Sequence, residues 1–152
     1  MLVRIDTVLL APLERIAAEV LRPRLLEYIA APLVHFTPLE PARFPEHWAE
    51  GRWRVAIRLF GVFPLGRQWI VITLPATGTG EFRVRDNGTG DLARRWDHLI
   101  ILQRRADGST NYRDEVTVAA GLLTPFVWAF AALFYRHRQR RWRRLVALDF
   151  AY

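Results

Sequence analysis

Residues Gly121–Phe134 read GLLTPFVWAFAALF, and Tyr135–Tyr152 continue without a break as YRHRQRRWRRLVALDFAY. Pro125 suits the first turn of a helix, where its missing N–H costs nothing, and Thr124 before it is placed to cap the free amides. No proline or glycine follows to the end of the chain. One helix of about 20 residues, ~30–35 Å long, is therefore expected. The apolar run Leu122–Phe134 spans 13 residues, short of the ~20 that would cross a bilayer. It reads as a core helix, and the rest of the chain must supply what covers it.

Composition narrows what that can be. The 152 residues suffice for one domain over 1–152 with a core of its own. Apolar residues make up 51% of the chain and six residues are Trp, which argues against disorder. The absence of Cys removes disulfides, thiolate catalysis and thiolate metal sites. Every basic residue is Arg, so Schiff-base chemistry and a phosphate-loop lysine are excluded. The net charge is +7, and six arginines (Arg136, Arg138, Arg140, Arg141, Arg143, Arg144) crowd the second half of the final helix. They offer a patch for anionic lipid, nucleic acid or an acidic partner, or simply a solvated helix face. No secretory signal pattern opens the chain, and a cytoplasmic location is expected, peripheral to a membrane if the arginine patch meets one.

Working back from the helix, Arg95–Arg104 and Thr110–Ala120 read as two strands joined by Ala106-Asp107-Gly108. A three-residue loop with Gly108 left-handed pairs Arg105 with Ser109. That register sets Leu102 opposite Tyr112, Ile100 opposite Asp114, His98 opposite Val116 and Trp96 opposite Val118. These eight residues share the more apolar face, which is expected to look toward the helix; a two-residue turn would undo every pairing. His98 and Asp114 become diagonal neighbours. A buried carboxylate needs a partner, with His98, Tyr112 or an arginine the candidates. The group is either a satisfied core network or a polar anchor at the floor of a greasy cavity.

Earlier in the chain, Met1–Leu10 reads as a strand, and PLERIAAEVL from Pro12 and PRLLEYIA from Pro23 as two short helices. Leu33–Phe36 is a second strand, followed by a proline-rich link through Pro38, Pro41 and Pro45. Trp53, Val55, Ile57 and Leu59 alternate with polar or small residues, the pattern of a half-buried strand. Gly61–Gly66 is expected to turn, Trp69–Leu74 to be the next strand, and Phe82 and Val84 a short one ending at Asp86-Asn87-Gly88. The order, strand, two helices, a meander and a long helix, makes the fold α+β.

Catalytic motifs are sparse. The single serine, Ser109, sits in a turn, and no nucleophile elbow surrounds it. The four histidines (His35, His47, His98, His137) lie on separate elements, with no metal-ligand spacing. Gly78 and Gly80 lack the context of a dinucleotide loop. No cofactor is therefore expected.

Three local motifs, Trp96-Asp97-His98, Tyr112-Arg113-Asp114-Glu115-Val116 and Gly121-Leu122-Leu123-Thr124-Pro125, together with the element order, carry a resemblance over nearly the whole chain. It resembles the START-like (SRPBCC, polyketide cyclase/dehydrase) superfamily, and within it a group of bacterial members with the same motifs and a similar helix segment Phe134–Trp142. The resemblance implies a helix-grip fold, in which about seven curved antiparallel strands wrap a long C-terminal helix. It also implies a cavity between sheet and helix for lipids, polyketides or other hydrophobic ligands. The two-His-one-carboxylate spacing and Rieske cysteines of the oxygenase branch are missing.

The expected ligand-binding residues are His98, Ile100, Tyr112, Asp114, Val116, Phe126, Phe130 and Phe134, holding a small hydrophobic or amphipathic molecule. Two alternatives stay open. One is an interaction module whose arginine-rich helix meets anionic lipid, nucleic acid or a protein, without a recognised nucleic-acid motif, a second copy of the chain in a homodimer being one such protein. The other is a cyclase- or dehydratase-type enzyme with His98 and Asp114 as acid/base pair and Tyr112 as hydrogen-bond donor.

Overall fold

The computed structural model describes Met1–Tyr152. Its elements run β1 (Leu2–Leu9), α1 (Leu13–Val20), α2 (Pro23–Ala30), β2 (Val34–Glu40), β3 (Gly51–Leu59), β4 (Phe63–Thr73), β5 (Glu81–Gly90), β6 (Arg95–Arg104), β7 (Thr110–Ala119) and α3 (Thr124–Ala147). All seven strands form one antiparallel sheet in the order β1-β7-β6-β5-β4-β3-β2. The fold is the expected helix-grip arrangement.

The last hairpin forms in the register read from its loop. Gly108 has φ +81°, a conformation open to glycine at little steric cost. The Arg105 N–H donates to the Ser109 carbonyl at 2.9 Å, and Ile100 faces Asp114 while His98 faces Val116. The face from His98 to Leu102 and from Tyr112 to Val118 is accordingly buried at every second residue.

Four local expectations change. Strand β2 runs on through Pro38 to Glu40, because it is the sheet's edge and pairs only with β3, where a missing N–H can point outward. Strand β4 starts at Phe63, so the turn shrinks to Phe60–Val62 around Gly61, and Gly66 pairs with Ile57 beside a register shift. Strand β5 passes through Asp86-Asn87-Gly88. Its ladder with β4 lapses across Asn87 and Gly88 and resumes at Ile72 opposite Asp86. The Asp86 carboxylate Oδ1 fills that gap by accepting the Val71 N–H at 2.8 Å. The turn signal is thus spent on a break inside a strand. A Cβ at Gly88 would stand 2.2 Å from the Trp69 carbonyl oxygen, which explains glycine there.

The fourth change concerns the helix start. The cap position of α3 is Leu123, with no side-chain cap. The Thr124 hydroxyl instead accepts the Ala120 N–H at 2.9 Å and donates to the Gly121 carbonyl at 2.6 Å, bracing the entry turn rather than the helix. The helix has 24 residues and ends at Ala147. The chain then turns back at Asp149 and Phe150 (φ +48° and +61°), burying Phe150 in the core.

Side chains of α3 tie it to two neighbours. Trp128 Nε1 donates to the Leu2 carbonyl at 2.9 Å and Gln139 Nε2 to that of Ile5 at 2.8 Å, both on β1. Arg141 Nε donates to the Tyr28 carbonyl of α2 at 2.7 Å. Beneath the helix, Val127, Ala131 and Phe134 pack with Val3, Val116 and Val118. Further along, Trp142 and Leu145 join a larger cluster with Ile16, Ile29, Leu102 and Tyr112. Anchored over β1 and β7 and against α2, the helix leaves the concave middle of the sheet uncovered. No helix is long and apolar enough to cross a membrane.

Candidate functional site

That uncovered middle is a cavity of about 340 Å³ lined by 30 residues, 24 of them hydrophobic. Its walls come from α2 (Leu25, Ile29), the sheet interior (Ile70, Val84, Ile100) and α3 (Phe130). Each sheet residue points inward because alternate positions of a strand share a face. At one end the lining reaches the surface through Leu92, Leu123 and Phe126, the last 75% exposed. The β3–β4 turn, the β5–β6 connection and the start of α3 lie together at this end, since β3, β5 and β7 run in the same direction.

Of the expected ligand residues, His98, Ile100, Tyr112, Phe126, Phe130 and Phe134 stand in the cavity wall. Asp114 and Val116 do not. Val116 is fully buried in the cluster beneath α3. Asp114 is fully buried as well, behind the wall, where three donors reach it. His98 Nε2 lies 2.7 Å from Oδ1, the Tyr112 hydroxyl donates to Oδ1 at 3.0 Å, and Gln139 Nε2 donates to Oδ2 at 3.0 Å. Burial alone would raise the Asp114 carboxyl, but His98, Arg138 and Gln139 together hold it below the usual carboxylate range. Burial lowers the His98 imidazole against the pull of Asp114. Near neutral pH a neutral His98 therefore donates to an ionised Asp114. Burial also lifts the Tyr112 hydroxyl well above its usual range, so it too stays a donor. The network crosses three elements and joins α3 to β6 and β7.

On the opposite face of β6, Asp97 holds Arg85 at 2.8 Å through two bonds and Arg95 at 2.9 Å. The bonds from Arg85, then from Arg95, bring its carboxyl down to about 2. This outer cluster braces β5 against β6 and has no access to the cavity.

Residues 7–146 match the sequence profile of a family described as a domain of unknown function, DUF8410. The chain belongs to the DUF8410 family. Its fold recurs in solved structures at low identity. Protein CV1439 of Chromobacterium violaceum superposes with a TM-score of 0.69 at 17% identity, covering 95% of this chain and 96% of the other. A START superfamily protein of Mycobacterium smegmatis gives 0.61 at 14%, covering 97% of each. The AHSA1 protein of Silicibacter pomeroyi gives 0.62 at 13%, covering 98% and 99%. The DUF8410 chain thus has the START-like fold. Among curated proteins, none matches it by sequence.

Four polar residues of the DUF8410 cavity lay outside the expected set: Arg67 and Gln68 on β4, Asp86 on β5 and Arg138 on α3. Asp86 follows Phe82 and Val84 at every second position, so the alternation already directs it inward. Burial pushes its carboxyl up to about 7, against the opposing pull of the Val71 N–H and Arg138. Arg138 was expected on the exposed arginine patch and is not there. It is 6% exposed and faces the cavity. On a helix it falls four residues after Phe134 and four before Trp142, at the centre of the buried stripe, and that spacing was the available signal. Its Cζ sits 4.8 Å from the Tyr135 ring centre and 5.6 Å from that of Phe134. Arg141 is half-buried over Tyr28, 4.2 Å from the ring centre, whereas Arg136, Arg140, Arg143 and Arg144 are exposed.

Proposed function

We propose that this chain binds a small hydrophobic or amphipathic ligand, lipid- or polyketide-like, between the sheet and α3. The observation that supports this reading is the cavity itself: about 340 Å³ with 24 of 30 lining residues hydrophobic, within the size range of small-molecule sites. A void of this kind forfeits several kcal/mol of packing when nothing fills it, a large share of a domain's total stability. The START-like fold is consistent with it. Catalysis ranks below binding because Asp114 lies behind the wall with three donors already in place.

Native mass spectrometry of the purified protein, with solvent extraction and chromatography, should reveal a bound amphiphile. Trp48 and Trp96 stand in the wall, so dodecan-1-ol should also change the tryptophan emission saturably. A protein that carries nothing and responds to no dodecyl amphiphile would sink the proposal.

A second reading is favoured by Arg136, Arg140, Arg143 and Arg144, which are exposed and have no acidic partner. They suit an anionic membrane surface, on which the protein would sit peripherally. Binding to vesicles containing phosphatidylserine should then fall steeply between low and physiological salt; no binding at low salt ends this reading.

A further inference from the structure

Arg138 presents a problem that the folded chain by itself does not solve. Its guanidinium is removed from bulk water, and its Nε has no hydrogen-bond partner. None of the ion pairs of the structure includes it. A guanidinium cannot discard its proton to escape the cost of burial, and a lone buried charge is among the costliest groups a fold can hold. The rings of Tyr135 and Phe134 offset part of that cost through their π faces. They also hold the group in place without using its N–H donors.

Neither neighbouring carboxylate forms a hydrogen bond or ion pair with Arg138. Asp114 is occupied by His98, Tyr112 and Gln139. Asp86 accepts from Val71 and forms no ion pair with Arg138. The cavity's other arginine, Arg67, is exposed at the mouth and its guanidinium is already paired with Asp91, Nε to Oδ2 at 3.5 Å. Arg138 is thus the unpaired cation of an apolar chamber, far from a mouth rimmed by Leu92, Leu123 and Phe126.

We infer that the cavity takes a single-chain amphiphile with a carboxylate head, the head seated on Arg138 and the apolar chain running toward Phe126. This rests on the reading that the cavity binds an amphiphile and assigns its head. A planar carboxylate matches the guanidinium fork. A singly charged carboxylate adds less negative charge beside Asp114 and Asp86 than a doubly charged phosphate would. A ligand entering through the cavity can supply the missing acceptor, since His98 and Tyr112 of the wall are already hydrogen-bonded to Asp114 and Asp86 accepts from Val71.

The test compares dodecanoate, dodecan-1-ol and dodecyl phosphate by calorimetry at pH 8. The unmodified protein should bind dodecanoate at least about tenfold tighter than dodecan-1-ol, as expected for a hydrogen-bonded charge pair. Arg138→Met keeps an apolar side chain in place and should bring the two affinities level. Equal affinities in the unmodified protein overturn the assignment without any need for the variant to fold. So does a preference that survives Arg138→Met, and tighter binding of dodecyl phosphate overturns the choice of carboxylate. If dodecan-1-ol binds but dodecanoate has no advantage, only the head assignment fails; if neither binds, the hydrophobic-ligand reading fails with it.

Discussion

His98 Nε2 of β6 lies 2.7 Å from the Asp114 Oδ1 of β7, across the ladder and beneath α3. The pair does more than join two strands, because Gln139 extends it to the helix and onward to the Ile5 carbonyl of β1. The position of the helix over one side of the sheet, and with it the cavity, depends on this group.

Asp114→Asn replaces an acceptor of three donors by an amide with one oxygen, so at least one donor is left facing an N–H. The expected loss is about 2–4 kcal/mol. Thermal unfolding should shift down by roughly 10 °C for a chain of this length. An unchanged midpoint would show that the network does not hold the helix.

Asp86 gives a pH signature of the opposite sign to an ordinary ion pair. Its carboxyl rises from 3.8 to about 7 on folding, chiefly through burial. The folded state therefore holds the proton more tightly, and stability is full below about pH 4 and falls as pH rises toward 7. Asp86→Asn keeps an oxygen for the Val71 N–H and should match the parent near pH 4. At pH 8 it should be more stable by on the order of 2–3 kcal/mol, discounted for contact with the cavity. Denaturant titrations at the two pH values decide it, and a pH-independent difference refutes it.

Gly88→Ala should be severely destabilising, by about 3 kcal/mol or more, since the new Cβ would lie 2.2 Å from the backbone oxygen of Trp69. Gly78→Ala meets nothing within 4 Å and should be neutral or slightly stabilising. Urea midpoints of both variants check the contrast.

Val84→Phe adds a ring to the middle of the cavity wall. In a packed core such a change costs about 1–3 kcal/mol; here the cavity can take the ring, so the unfolding midpoint should hold within a few degrees. Binding of dodecan-1-ol should be lost or weakened by at least about tenfold. Retained affinity with retained fold would mean the ligand sits elsewhere.

By itself the sequence determined the order of elements, the α+β class and the register of the β6–β7 hairpin. These rest on short-range rules: an alternation of two along strands, a spacing of three and four along helices, and a glycine where the loop needs φ > 0. The same rules brought His98 beside Asp114. They misjudged β5, because Asp86-Asn87-Gly88 carries a turn's composition and only the neighbouring β4 reveals that the segment stays extended. The tertiary structure decided which of the inward-facing polar groups meet the cavity and which are sealed behind its wall. Asp114 and Arg138 could each have been read as either buried or accessible from their own neighbourhoods. Their roles separate only once α3 is anchored to β1 and α2, which turns Gln139 onto the carboxylate and Arg138 into the chamber. That placement depends on contacts between residues far apart in the chain, which no local periodicity encodes.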